Sequence, residues 1–219
     1  MQVMVRSWGS GKPLLLIHGW EGRGTQLGAI ASVLATRGYE VIAPDLPAHG
    51  DSPGSHTDLL EFAAVVAELI RTTHPAGIVA HSFGAAATNV ALREAPFDGR
   101  LVYLSPPEDF RFFTLTFASM LGIPEDLALR MERKLERRFG VEWSQLRGAA
   151  IAPQMTAPLL VIHDEDDQDV PARYGRALAA AWPGSELMVT TGLGHRRILR
   201  DDGIIEAAIA FLERDVNRA

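Results

Sequence analysis

The chain contains no cysteine, which removes thiolate nucleophiles, thiolate metal ligands and any disulfide framework from its chemistry. A reducing compartment is compatible with that composition. It also lacks an excess of positive charge. Lys and Arg number 21 against 27 Asp and Glu, giving a net charge of −6 and a pI near 5.6. No long-range attraction therefore draws it to nucleic acid or anionic membranes, and neither is expected as a partner. Long hydrophobic runs are missing too: Leu14 to Ile17 and Phe62 to Ala67 fall far short of the roughly 20 residues a membrane span needs. The stretch Met1 to Gly9 carries Arg6 and Trp8 but no apolar core followed by a cleavage site, so it does not read as a secretory signal. A soluble cytoplasmic protein acting on a small molecule is expected, with its oligomeric state left open.

What is present is enough apolar material for a sizeable core. At 219 residues with 47% hydrophobic content, the chain can bury roughly 70% of its extended surface in one domain. No repeat, low-complexity tract or linker divides it, so residues 1–219 are read as a single domain. Short β-type runs alternate with longer helix-period segments, which argues for an α/β fold: a mostly parallel sheet of about seven strands with helices on both faces. The expected strands are Val3 to Trp8, Leu14 to His18, Glu40 to Ala43, Gly77 to His81, Leu101 to Leu104, Leu159 to His163 and Glu186 to Thr190. Helices are expected at about 26–37, 58–73, 83–94, 172–181 and 203–216. Asp58 with Glu61 forms a capping box, and Gly38 ends the first helix. In the last helix Ile205, Ile209, Leu212 and Val216 make a core-facing stripe.

One stretch breaks the rhythm. From Pro106 to Pro153 no strand is evident, but Phe110, Phe112, Phe113, Phe117 and Met120 precede a charged helix from about Pro124 to Phe139. In that helix Leu127, Met131, Leu135 and Phe139 recur every four residues, so this side is expected to lie on something apolar. Residues of about 106–153 are thus read as an insertion of the kind that covers a sheet edge. Its phenylalanines either line an apolar substrate pocket or fasten the insertion to the body. The cations from Arg130 to Arg138 either meet an anionic substrate tail or form a solvated helix face.

The most informative residue is Ser82, in the run Val79-Ala80-His81-Ser82-Phe83-Gly84 between an apolar and an alanine-rich segment. This is the layout of a turn from strand into helix that pushes a serine hydroxyl clear of its neighbours. The pattern is G-x-S-x-G with Ala80 in place of the first glycine. A serine hydroxyl is a weak nucleophile at neutral pH and needs a base within hydrogen-bond reach. Upstream, Leu14 to Ile17 ends in His18-Gly19-Trp20, a turn able to aim an amide at the same crevice. The N–H groups of Trp20 and Phe83 are candidate donors to an oxyanion. Downstream, the apolar run Leu159 to His163 enters Asp164-Glu165-Asp166-Asp167-Gln168-Asp169-Val170-Pro171, where a carboxylate could orient a histidine. Asp169 and Gly175 stand where a calcium-binding loop of the EF-hand type needs glycine and glutamate, so no metal is expected there. Gly192-Leu193-Gly194-His195 then brings the one histidine that follows both Ser82 and the acids. His18, His81 and His163 also sit at strand ends and are read as supporting groups, whereas His49, His56 and His74 read as loop residues.

With these segments in place, the chain resembles the α/β-hydrolase superfamily over nearly its whole length. The resemblance rests on His18-Gly19-Trp20, Asp45-Leu46-Pro47-Ala48-His49-Gly50-Asp51-Ser52, Ala80 to Gly84, Asp167 three before Val170-Pro171, and Gly194-His195. It implies a small esterase-like serine hydrolase with a reduced N-terminal sheet edge, a short helical lid and no cofactor or metal. It also implies the order Ser82, Asp167, His195, with Asp166 and Asp169 as rival acids. The implied reaction is cleavage of a carboxylic ester or thioester through an acyl-enzyme. A cofactor-free lyase or C–C bond hydrolase using the same residues, and a non-catalytic binding protein, are the alternatives.

Overall fold

The structure, a computed structural model, describes residues 2–214. Seven strands form one sheet: β1 (Val5–Gly9), β2 (Lys12–Ile17), β3 (Tyr39–Pro44), β4 (Gly77–His81), β5 (Arg100–Leu104), β6 (Leu159–Asp164) and β7 (Glu186–Thr190), in the order β1-β3-β2-β4-β5-β6-β7. β1 runs antiparallel to β3, with Val5 opposite Pro44, and all other neighbours are parallel. This is the α/β architecture expected from the alternating pattern. β1 starts two residues later than expected. Met4 is instead tied to the loop after β3, its N–H donating to Ser52 Oγ at 2.8 Å and its carbonyl accepting from the Asp45 N–H at 2.8 Å.

Between the strands lie α1 (Gly28–Thr36), α2 (Leu59–Thr73), α3 (Phe83–Ala91), then α4 (Phe110–Met120), α5 (Glu125–Phe139), α6 (Trp143–Leu146) and α7 (Gly148–Ile151) between β5 and β6, and finally α8 (Arg173–Ala181), α9 (Gly194–Arg197) and α10 (Asp202–Leu212). The period-2 geometry of a strand sends alternate side chains to opposite faces, and both faces are covered. Leu14, Leu16, Val79, Val102, Leu160 and Ile162 pack toward Ile30 and Leu34 of α1 and Ile205 and Ile209 of α10. Leu15, Ile17, Ile78, Ala80, Tyr103 and Val161 pack toward Phe62 and Val66 of α2, Ala86 of α3 and Leu178 of α8. Full burial of each Leu, Ile or Val is worth roughly 1.5–3 kcal/mol. Asp58 caps α2 by accepting the Leu60 and Glu61 N–H groups at 2.8 and 2.9 Å. Of the expected α10 stripe, Val216 lies outside the described residues. Among the described residues, no helix is long and apolar enough to cross a membrane.

The segment from α4 to α7 is fastened at its base. Glu108, buried just before α4, accepts from Arg147 Nε and Nη2 at 3.1 and 2.9 Å, from the Ala149 N–H at 3.3 Å, and through its carbonyl from the Gly148 N–H at 2.9 Å. One expectation for this segment is overturned. The Leu127, Met131 and Leu135 stripe of α5 does not lie on an apolar surface; these side chains are 46%, 48% and 37% exposed. The helix instead turns Ala128 and Glu132 inward, and Glu132 is met by Arg111 Nε of α4 at 3.2 Å. The face of α5 turned toward α4 thus carries Ala128 and Glu132, and its apolar stripe faces outward.

Candidate active site

The sheet order creates a crevice. From β2 the chain first adds β3 on one side and then β4 on the other, so the ends of β2 and β4 flank the point where strand order reverses, a position that favours binding at the carboxyl edge. His18-Gly19-Trp20 leaves β2 there, and Ser82 leaves β4. Ser82 has φ 50° and ψ −123°, a conformation that costs a non-glycine residue on the order of 1–3 kcal/mol. Its N–H is held by the Leu104 carbonyl at 2.9 Å, and its own carbonyl accepts the Ala85 N–H at 2.9 Å. The tight turn demands small neighbours. A Cβ on Gly84 would stand 2.4 Å from the His18 carbonyl oxygen, and one on Gly19 would meet Ser82 Cβ at 3.1 Å.

Asp167 and His195 come together at the ends of β6 and β7. His195 Nδ1 lies 2.8 Å from Asp167 Oδ2, while Asp167 Oδ1 accepts the Asp169 and Val170 N–H groups at 2.9 and 2.8 Å. His163 Nε2, which donates to the Val170 carbonyl at 2.8 Å, lies 3.4 Å from the same Oδ2. Burial alone would raise the Asp167 carboxyl, but hydrogen bonds from His163, His195 and the Val170 amide outweigh it. The carboxyl is held well below the usual carboxylate range and stays ionised. Of the rival acids, Asp166 Oδ2 is engaged by the Gly192 N–H at 2.7 Å, and the contact to the imidazole is made by Asp167. The structure brings His195 to Asp167 but draws no hydrogen bond between His195 and the Ser82 hydroxyl; His81, next to Ser82 in the chain, lies against His195. Its ring stands 4.6 Å from that of His195, and its Nε2–H donates to the His195 carbonyl at 3.1 Å. Burial, followed by the nearby His195, lowers His81 to about 3, so it is neutral.

The turn after β2 is fixed by two histidines. His18 donates from Nδ1 to the Gly19 carbonyl at 2.7 Å and accepts the Leu46 N–H on Nε2 at 2.9 Å. Burial lowers it to about 4, and the accepting nitrogen requires the neutral ring. His49 Nε2 accepts the Glu21 N–H at 3.1 Å and its Nδ1 donates to the Pro47 carbonyl at 2.9 Å. Asp45 completes the tie, accepting the Gly24 and Asp51 N–H groups at 2.6 and 2.8 Å and pairing with Arg6 at 2.7 Å. The Asp45-to-Ser52 motif is therefore a scaffold that clamps this turn, and His49, read from sequence as a loop residue, is one of its bolts. Phe83 opens α3. Trp20 packs on Phe83 with ring centroids 5.2 Å apart, and Phe113 of α4 approaches Phe83 at 6.4 Å. A cavity of about 520 Å³ opens against the Trp20 turn, lined also by Arg23, His49 and Thr57.

Among the described residues, no group of three or more His, Asp or Glu side chains is arranged to hold a metal ion. Comparison with known proteins gives the following likenesses. A pyrethroid hydrolase of Sphingobium wenxiniae is 32% identical over 97 residues, covering 42% of this chain and 35% of that protein. A non-heme haloperoxidase of Rhodococcus erythropolis is 34% identical over 71 residues, covering 32% and 26%. The matched stretches thus span about a third or less of these relatives. Among solved structures, a Mycobacterium tuberculosis protein assigned as a non-heme bromoperoxidase superposes with a TM-score of 0.76 at 21% identity, covering 96% of this chain and 95% of that one. An esterase from Exiguobacterium antarcticum gives 0.72 at 19% identity, covering 97% and 96%. These two show a shared fold. The model of the alpha/beta hydrolase family matches residues 14–207, a span that starts within β2 and holds β3 to β7 with Ser82, Asp167 and His195, and the chain belongs to that family.

Proposed function

We propose that the protein is a serine hydrolase that cleaves a carboxylic ester or thioester of small to medium size through an acyl-enzyme. The observation that carries this reading is the 2.8 Å contact between His195 and Asp167 at the sheet edge where Ser82 holds its strained turn. His195 Nε2 takes the Ser82 proton as Oγ attacks the carbonyl carbon, and Asp167 keeps the proton on Nδ1 and stabilises the imidazolium. The N–H groups of Trp20 and Phe83 receive the oxyanion, each worth about 2.7–4 kcal/mol of transition-state stabilisation. His195 then protonates the leaving alcohol or thiol, and water releases the acyl group by the reverse sequence. The segment 106–153 acts as a lid within a single domain. Phe113 against Phe83 supports an apolar substrate portion beneath it. Hydrolysis of p-nitrophenyl esters of increasing acyl length tests the reading. Ser82→Ala and His195→Ala should each lose about 10⁶-fold in kcat, roughly 8 kcal/mol. Full ester hydrolysis by Ser82→Ala would overturn it.

A further inference from the structure

The acidic loop after β6 holds more than the partner of His195. Asp164, the last residue of β6, is fully buried, and its carboxylate accepts four hydrogen bonds. Oδ2 takes the Thr190 hydroxyl at 2.7 Å and the Leu193 N–H at 3.1 Å, while Oδ1 takes the Gly194 N–H at 2.9 Å and the Asp166 N–H at 3.0 Å. Asp166 Oδ2 adds the Gly192 N–H at 2.7 Å. Three successive amides, those of residues 192, 193 and 194, therefore end on two carboxylates immediately before His195. Burying a carboxylate without such donors would be costly, and charge-assisted bonds of this kind are about twice as strong as neutral ones. Burial raises the Asp164 carboxyl, but the Gly194, Thr190, Leu193 and Asp166 donors outweigh it and keep it ionised. On the far side of His195, its carbonyl is gripped by His81 Nε2–H at 3.1 Å.

We propose that Asp164 is the positioning residue for His195, fixing the backbone from which the imidazole reaches both Asp167 and Ser82. The inference rests on the reading of His195 as the base. Asp167 sets the tautomer and tilt of the ring, whereas Asp164 sets where its Cα stands. The division matters because a displacement of about 1 Å in a reacting group can cost about 10² in rate. A carboxylate suits the task where a neutral side chain does not. Four donors converge on it, and Asn would offer one acceptor oxygen and place an N–H₂ against other N–H groups.

The test uses the full chain and two independent readouts, ester turnover and amide hydrogen exchange. Asp164→Asn should lower kcat on a p-nitrophenyl ester by about 10²-fold with KM within about twofold. Exchange at residues 192–195 should accelerate about tenfold or more, with the central strands still protected. Thr190→Val, which removes one donor and no charge, should move both readouts in the same direction by a smaller factor, and it carries the test if Asp164→Asn does not fold. Wild-type kcat in a variant whose 192–195 amides exchange freely would overturn the proposal. So would unchanged exchange there, or, in Thr190→Val, loss of protection throughout the sheet in step with the loss of kcat. A wild-type protein that cleaves no ester would overturn the proposed function instead, and the exchange arm would still show whether Asp164 holds the loop.

Discussion

The acid–histidine corner and the helical segment between β5 and β6 are both built after strand ends, but they use polar groups in opposite ways. At the corner, Asp164, Asp166 and Asp167 each accept backbone N–H groups, so side chains anchor main chain within a few ångströms of His195. In the helical segment Glu108 and Arg147 clasp the base and Leu146 and Ile151 are buried in the core, whereas on its outer face Phe117, Met120, Leu127 and Met131 stand exposed. On the proposed reading, geometry is fixed where the proton would move, and the outer face of the segment proposed to admit a substrate is held less tightly. Low local anchoring of this kind marks the elements that open most readily.

The sharpest way to break the contrast is Asp167→Asn. It preserves shape but removes the acceptor for the His195 Nδ1–H, and kcat should fall by about 10⁴-fold while the fold persists; steady-state kinetics with circular dichroism checks this. A second test is acid titration. His18 and His81 are lowered to about 4 and about 3 in the folded protein, below the ordinary value near 6.5. As pH falls below about 6.5, the unfolded chain takes up these protons first. Stability is therefore complete above that pH and is lost on the way down to pH 4, by on the order of 3 kcal/mol or more. Urea unfolding at pH 7 and pH 4 measures the difference. Smaller still, Glu108→Ala should cost about 1–3 kcal/mol by leaving the Ala149 N–H without its acceptor and Arg147 with only the longer contact to Asp109 at 3.6 Å. At the bottom of the scale, Met131→Ser on the exposed stripe should stay within about 0.5 kcal/mol of wild type. A large loss there would mean that the stripe is covered in solution and would erase the contrast.

Much of this was legible in the sequence, and the limits are physical. The strands were readable because burial on both faces demands continuous apolar runs such as Leu14 to Ile17 and Leu159 to Ile162. Ser82 and His195 stood out by chain order and by small neighbours. Asp167 could be preferred only by its spacing from Val170-Pro171, since five carboxylates crowd that loop and their directions depend on how the chain leaves β6. For the same reason the roles of Asp164 and Asp166 were invisible: an acceptor for residues 192–194 is a fact of pairing between β6 and β7. His49 looked like a loop residue because its partner, the Glu21 amide, is 28 positions away. The α5 stripe was misread because periodicity identifies an apolar face without saying what covers it.

The central claim is that Ser82 is the nucleophile activated by His195 at this edge. Labelling with a fluorophosphonate, followed by peptide mapping, tests it most directly. The account predicts a single adduct on Ser82, formed orders of magnitude more slowly in His195→Ala and absent in Ser82→Ala. An adduct that persists in Ser82→Ala, or labelling of Ser82 at an undiminished rate without His195, would contradict it.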